Sequence, residues 1–321
     1  NPDKQFMPAT GTLQVYRTPE SAANFERADT RVDAGVREGD AISPYYDSMI
    51  AKLIVWGADR EQALARLDAA LMQTHIVGLH TNVAFLRRVV ASRSFAQADL
   101  DTALIERERA VLFNTAPLPA EVAAAGVVAH ALADDEQLQT DDPWSRRDGW
   151  RLFGGARRRF ELELHGQHQT VVLERAHRGG AMAIVIGEQR WPFAATSLGE
   201  GRHDVQLGDR RLPLSVYAVG EKVSVFAPDG SATVAEVNVL AHAGDGAAET
   251  GRLTAPMPGK VIAFQVQPGQ VVKQGQALAV MEAMKMEHTL HAPRDGKVEA
   301  LLYAPGDQVP EGGELLKLAA T

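Results

Sequence analysis

The chain has 321 residues, with 33 Lys and Arg against 41 Asp and Glu and a formal net charge of −8. Its 45% hydrophobic and 23% charged residues are the balance of a globular protein, and the length suggests two or three domains. The acidic balance excludes a bulk basic surface for nucleic acid, no apolar run reaches the ~18 residues of a membrane-spanning helix, and the lack of cysteine excludes disulfides, a thiol nucleophile and cysteine-ligated zinc.

The chain begins Asn1-Pro2-Asp3-Lys4, without an initiating Met or a targeting pattern, and reads as a piece of something longer. Together with the absent cysteines this points to cytoplasm or an organelle matrix. Strand-like segments are expected at Thr12–Tyr16 and Ser48–Trp56, the second ending at Gly57. From Asp59 the pattern becomes helical, with Ala63, Leu64, Leu67, Ala70 and Leu71 on one stripe. Thr81 or Asn82 should cap a second helix carrying Val83, Leu86, Val89 and Val90, and a third is predicted over Asp101–Leu112. The whole of 1–113 is read as mixed α/β.

Residues 119–136 predict an alanine-rich helix whose surface is small and apolar all round, so it should be buried. From Trp150 to about Asn238 short alternating segments recur between Gly, Asp and His turns, as in Phe160–Leu164, Ala183–Ile186 and Lys222–Phe226. Many short strands suggest an antiparallel sandwich or barrel, here wrapped around the helix. Gly154-Gly155 followed by Arg157-Arg158-Arg159 reads as a basic turn leading into a strand. Ala241–Thr250 is small, polar and free of large apolar residues, the best linker in the chain.

The last seventy residues contain a repeat. Ala255–Met281 aligns with Ala292–Leu318 at a constant offset of 37, with 11 of 27 positions identical, including Gly259/Gly296, Gly269/Gly306 and Gly275/Gly312. Each half is too small to bury its own apolar face, so two halves related by a pseudo-twofold axis should make one small β-sandwich. The centre of the pair falls on Glu282-Ala283-Met284-Lys285-Met286-Glu287-His288, which places Lys285 near a projecting turn. Two methionines in such a turn, where Gly, Asn or Asp would be usual, point to recognition.

Ala283-Met284-Lys285-Met286 resembles the biotin attachment motif of biotinyl carrier domains, with Ala255-Pro256-Met257-Pro258-Gly259, Ala292-Pro293 and Gly296 also where that family has them. Lipoyl domains share the fold but usually carry Asp-Lys-Ala at the tip. The resemblance implies covalent biotin on Lys285, attached by a biotin protein ligase. It also implies a carrier that is rigid in itself and mobile on its linker.

Residues 1–110 resemble the C-terminal part of a biotin carboxylase domain through Phe6–Gly11, Arg31-Val32-Asp33, Pro44–Leu53, Gly78, Thr81, Asn82 and Phe85-Leu86. That likeness implies that Arg31 lies against biotin and stabilises its anion, a role suited to a fixed guanidinium. Tyr45, Tyr46, Asp47 and Lys52 are expected to shape and pack the domain. The ATP-grasp machinery of this family, its phosphate loop and its carboxylates for Mg2+, lies upstream of the matched part. On these residues alone the chain is not expected to carboxylate biotin. His165 and His168 should fall on opposite faces of a strand and His288 on a sheet surface, so no metal is expected.

The expected organisation is a multidomain α+β chain. It comprises the C-terminal part of an ATP-grasp biotin carboxylase (1–113), a helix-plus-antiparallel-barrel docking domain (114–240), a linker (241–251) and an all-β flattened-sandwich carrier (252–321). This order is similar to the α subunits of acyl-CoA carboxylases, and Asp142–Ser145 with Asp148–Leu152 looks closer to the methylcrotonyl/geranyl branch. The resemblance implies that biotin is carboxylated with ATP, Mg2+ and bicarbonate. The carboxyl group then passes to 3-methylcrotonyl-CoA held on a carboxyltransferase β subunit, in a hetero-oligomer of α6β6 type. Geranyl-CoA and propionyl-CoA are the alternative substrates. Competing readings are a non-catalytic carrier or assembly module and, more distantly, the carrier of a sodium-pump decarboxylase. No nucleic acid or membrane partner is expected.

Overall fold

The computed structural model describes residues 2, 6–43, 45, 47–114, 116–147, 149, 151–177, 180–237, 252–255, 258–283, 286–310 and 312–319. The chain divides into two compact units, residues 114–245 and residues 1–113 taken with 246–321. The linker assigned to 241–251 lies outside the described residues, as do Tyr46 and Trp150.

Residues 1–113 begin with β1 (Gly11–Thr12) and β2 (Val15–Arg17), so the single strand expected over 12–16 is broken. The break arises because the chain changes partners. β1 pairs with β5 (Ala41–Ile42) and β2 with β7 (His75–Val77), while the Leu13 and Gln14 amides between them donate to Asp40 and Val77 carbonyls. Gly78 closes this crossing: at φ 110°, an added Cβ would stand 1.9 Å from the Thr12 carbonyl oxygen. β3 (Ala23–Asn24), β4 (Thr30–Ala34) and β6 (Ala51–Val55) form a separate sheet in which β4 is central. The strand expected over 48–56 is thus confined to five residues.

Helix α1 (Arg60–Met72) starts where the sequence places it. The Asp59 carboxylate accepts from the Gln62 amide at 2.8 Å, and the Gln62 side chain accepts from the Ala58 amide at 2.7 Å. α2 (Val83–Ala91) follows, and Arg87 binds Asp68 of α1 through Nε at 2.7 Å. α3 (Arg93–Ala96) was not expected, because four residues are too few for an apolar period; the Ser92 hydroxyl caps it. The predicted helix over 101–112 is two single turns, α4 (Leu104–Arg107) and α5 (Arg109–Leu112), joined at Glu108. Glu108 instead accepts from the Ser94 hydroxyl, tying the broken helix to α3. Tyr45, expected to pack, is 72% exposed.

The second unit is built around α6 (Ala120–Gln137). Among the described residues eight strands follow in a closed up-and-down barrel: β8 (Ala156–Leu164), β9 (Gln167–Arg175), β10 (Met182–Ile186), β11 (Gln189–Gly199), β12 (Arg202–Leu207), β13 (Arg210–Val219), β14 (Lys222–Ala227) and β15 (Gly230–Glu236). Each pairs with the next in antiparallel fashion, and β15 returns to β8 through Val234 opposite Leu164. Alternate strand residues such as Phe160, Leu162, Val205, Leu214 and Val225 point inward and share one core with α6. The helix is buried on every side over Val122–Ala129, which explains its composition: only small residues let barrel and helix approach this closely. His165 sits in the β8–β9 turn at φ 52° rather than in a strand.

Gly126 marks the closest approach. A Cβ there would meet Val225 Cγ1 at 2.6 Å and Cγ2 at 2.9 Å. Gly126→Ala should gain about 1 kcal/mol in helix propensity and lose about 1–3 kcal/mol to overpacking, a net destabilisation by urea unfolding. Removing both methyls with Val225→Ala in the same chain should recover part of that loss. Simple additivity of the two substitutions would contradict the close contact.

His203 on β12 is a second test of this core. Its ring is 2% exposed and 6.0 Å from that of His130, and neither nitrogen has a hydrogen-bond partner among the described residues. Burial, chiefly, and the neighbouring His130 hold its pKa below the ordinary 6.5, with Asp134 opposing. The unfolded chain therefore binds the proton more tightly, so stability should fall as pH drops below about 6.5. His203→Leu should flatten that part of the urea-midpoint profile and cost little near pH 8. An unchanged slope would assign the pH dependence to other groups.

Residues 252–319 form two four-stranded sheets. One has the order β16 (Arg252–Thr254), β23 (Glu314–Ala319), β21 (Gly296–Leu301), β18 (Val271–Val272). The other runs β20 (Met286–His291), β19 (Ala277–Ala283), β17 (Gly259–Phe264), β22 (Gln308–Val309). The offset of 37 carries β17 onto β21, β18 onto β22, the start of β19 onto that of β23, and β16 onto the end of β20. It also carries hydrogen bonds onto hydrogen bonds. Gly269 N donates to Val298 O at 2.7 Å as Gly306 N does to Val261 O, and Gly275 N to Ala292 O at 2.9 Å as Gly312 N to Ala255 O at 2.8 Å. Each sheet takes strands from both halves, so neither half completes a sheet alone. Among the described residues neither sheet includes a strand from 1–113.

Candidate functional site

β19 and β20 pair from Ala277 opposite His291 to Ala283 opposite Met286. The chain therefore joins them through only two residues, Met284 and Lys285, which lie outside the described residues, as does the Met286 side chain. What is described is the platform beneath them. Ala283 is 3% exposed, and Met281, Val261, Leu290, Val309 and Leu315 form the apolar cluster below it. Gly259 of β17 fits under the strand end, where a Cβ would stand 2.7 Å from the Glu282 carbonyl and 3.2 Å from the Ala283 Cβ. The rim is acidic, with exposed Glu282 and Glu287 directly opposite one another and Lys260 of β17 opposite Glu282. His288 is half-buried rather than on the open surface. Its Nε2 has no partner among the described residues, and burial lowers its pKa.

Arg31 lies on β4. In the antiparallel pair with β6, Arg31 faces Ile54 and Asp33 faces Lys52, so these four residues share one side of the sheet. The other side carries Thr30 and buried Val32. The Arg31 guanidinium is clamped by Asp33 in a fork, Nε to Oδ1 and Nη2 to Oδ2, both at 2.7 Å. This hydrogen bonding raises the arginine pKa and holds the Asp33 carboxyl below its usual range. Nη1 has no partner among the described residues. The clamp fixes the plane of the guanidinium and leaves the two N–H groups of Nη1 to face a ligand. Asp33 appeared in the sequence only as a motif neighbour; the two-residue spacing on a strand was the available signal that it would reach Arg31.

The described residues contain no cluster of acidic or histidine side chains suited to a metal ion and no helix long and apolar enough to cross a membrane. Three domain families match in succession: the biotin carboxylase C-terminal domain over residues 1–107, the BT domain of the methylcrotonyl-CoA carboxylase α subunit over 117–239, and the biotin-requiring enzyme (biotin/lipoyl) domain over 251–318. Over most of its length the chain is thus similar, domain by domain, to biotin-dependent carboxylases.

Relatives include the mitochondrial methylcrotonoyl-CoA carboxylase subunit alpha of Dictyostelium discoideum, 33% identical over 91% of this chain and 43% of the relative. The corresponding Rattus norvegicus subunit is 32% identical over 92% of this chain and 42% of its own length. The mitochondrial propionyl-CoA carboxylase alpha chain of Mus musculus is 29% identical over 99% and 45%. The chain thus spans less than half the length of these α subunits.

Proposed function

We infer that this chain is the biotin-carrying portion of a 3-methylcrotonyl-CoA carboxylase α subunit, with biotin in amide linkage to Lys285. The observation that carries the carrier role is the two-residue connection between Ala283 and Met286 on a fully packed sandwich. A lysine so placed can present its amine beyond the fold without drawing on the core. The residues present suit biotin: a rigid platform, a small buried Ala283 beneath the connection, and a lysine as the acceptor. Once attached, biotin supplies the ureido nitrogen that carries the carboxyl group.

The chain's own residues divide the remaining work. The sandwich orients the attachment point, and Asp33 holds the Arg31 guanidinium in one plane. Arg31 then offers a fixed positive charge to an oxyanion developing in the carboxylation step. For the whole subunit we propose ATP, Mg2+ and bicarbonate as co-substrates. A carboxyltransferase β subunit holding the acyl-CoA, in an α6β6 assembly, and a biotin protein ligase are the proposed partners. The proposed location is the cytoplasm or mitochondrial matrix.

The methylcrotonyl substrate is favoured by the BT-domain match at 117–239 and by 33% against 29% identity in the relatives. The propionyl-CoA relative supports a second reading, in which the same carrier serves propionyl-CoA. Intact mass and peptide mapping after expression with an active biotin ligase and free biotin test the carrier role. One biotinyl group on the Lys285 peptide is the expected result. An unmodified chain, or lipoate in place of biotin, would overturn it.

A further inference from the structure

The barrel unit contains a cleft of about 260 Å3 that the carrier and carboxylase roles leave unused. Arg147, Arg151, Arg157, Arg158 and Arg175 line it around a single acidic residue, Asp135 of α6. Five guanidinium groups against one lining carboxylate is a marked local excess in a chain of net charge −8. Asp135 is shared by Arg158 at 2.5 Å and Arg147 at 3.6 Å. Glu174 nearby is likewise shared, by Arg157 at 2.7 Å and Arg190 at 3.3 Å. Arg31, Arg87 and Arg211, by contrast, have Asp33, Asp68 and Asp204 respectively in two-pronged pairs.

Gathering like charges into a concavity raises the local potential and is unfavourable until an anion enters. Arginine in each of the five positions, rather than lysine, suits an oxyanion that accepts several directed hydrogen bonds. One carboxylate would leave most of the excess uncompensated, whereas phosphate groups carry two or more charges in little space. The volume lies below the ~300–1,000 Å3 of drug-sized sites, enough for one or two phosphates but not for a whole nucleotide. The closed barrel offers no free strand edge to which an extended acidic peptide could add.

We propose that this cleft binds a phosphate-class anion, either free pyrophosphate or the terminal phosphates of a nucleotide. The proposal is independent of the substrate assigned above. Calorimetric titration of the full chain with pyrophosphate and, separately, with ADP tests it. Both ligands should bind, with affinity that falls steeply as salt is raised from about 50 to 200 mM. Tighter binding of ADP would identify a nucleotide as the source and tighter binding of pyrophosphate the free anion.

Arg151→Gln with Arg157→Gln, both exposed, should weaken binding at least about tenfold, the loss of two charge-assisted contacts. Asp135→Asn, which removes the internal competitor, should strengthen it severalfold, a change that misfolding would not produce. Arg210→Gln, on an arginine outside the cleft, should change nothing. The site is refuted by absence of binding up to about 10 mM pyrophosphate at low salt, by variants that bind like the parent chain, or by a hexaglutamate peptide binding as tightly.

Discussion

Lys285→Arg is expected to abolish biotin incorporation while leaving the melting temperature of the chain unchanged. Arginine keeps the positive charge and much of the length of the side chain. Its guanidinium, however, stays protonated at any working pH and offers no free amine for amide formation. The stability of the sandwich rests elsewhere, on paired apolar residues such as Val261 and Val298, Leu278 and Leu315, and Val272 and Val309, each 2% exposed or less. The effect is therefore all or none in mass and negligible in stability. Residual biotin mapped to another lysine would remove the carrier role from Lys285. A large fall in melting temperature would mean that the residue serves the fold.

If the β-subunit assembly proposed above docks on this surface, Trp144→Ser combined with Phe153→Ser is expected to weaken it by at least about a hundredfold, at about 2 kcal/mol or more for each aromatic that the partner covers. Between α6 and β8 the chain displays Trp144 at 94% exposure, Phe153 at 86% and Leu152 at 67%. Trp144 sits on a single 3-10 turn capped by Asp142 rather than against the barrel. Large apolar side chains held in water along one short segment are the mark of a surface that another protein covers. Because they contribute nothing to the barrel core, their loss should leave urea unfolding of this unit unchanged. Undiminished co-purification of the β subunit with the double variant would move the docking surface elsewhere.

Arg31 shows how far a motif reaches. The motif singled out the arginine, and strand alternation sufficed to put Asp33 on its side of the sheet. The register of β4 against β6 brought Lys52 and Ile54 to the same face from twenty residues away. No local pattern could supply that pairing. The same holds for the arginine cleft. Arg157-Arg158-Arg159 read as an ordinary basic turn because its neighbours in space, Asp135 on the helix and Arg175 on the next strand, are distant in sequence or lie across a hairpin.

What the sequence determined by itself was whatever periodicity and repetition encode. The 37-residue repeat called for one small sandwich of two like halves, because neither half is large enough to bury its own apolar face; that each sheet takes strands from both halves came from the structure. The all-apolar surface of 119–136 required a buried helix, and alternating strands after it required a sheet to do the burying. What only the tertiary structure decided was where a uniform-looking segment changes partner. It broke the strand at Leu13, divided the helix at Glu108 and left Trp144 and Tyr45 in water. Each of these depends on hydrogen-bond or packing partners brought from elsewhere in the chain, and local propensity, worth less than about 1 kcal/mol per residue, yields to them.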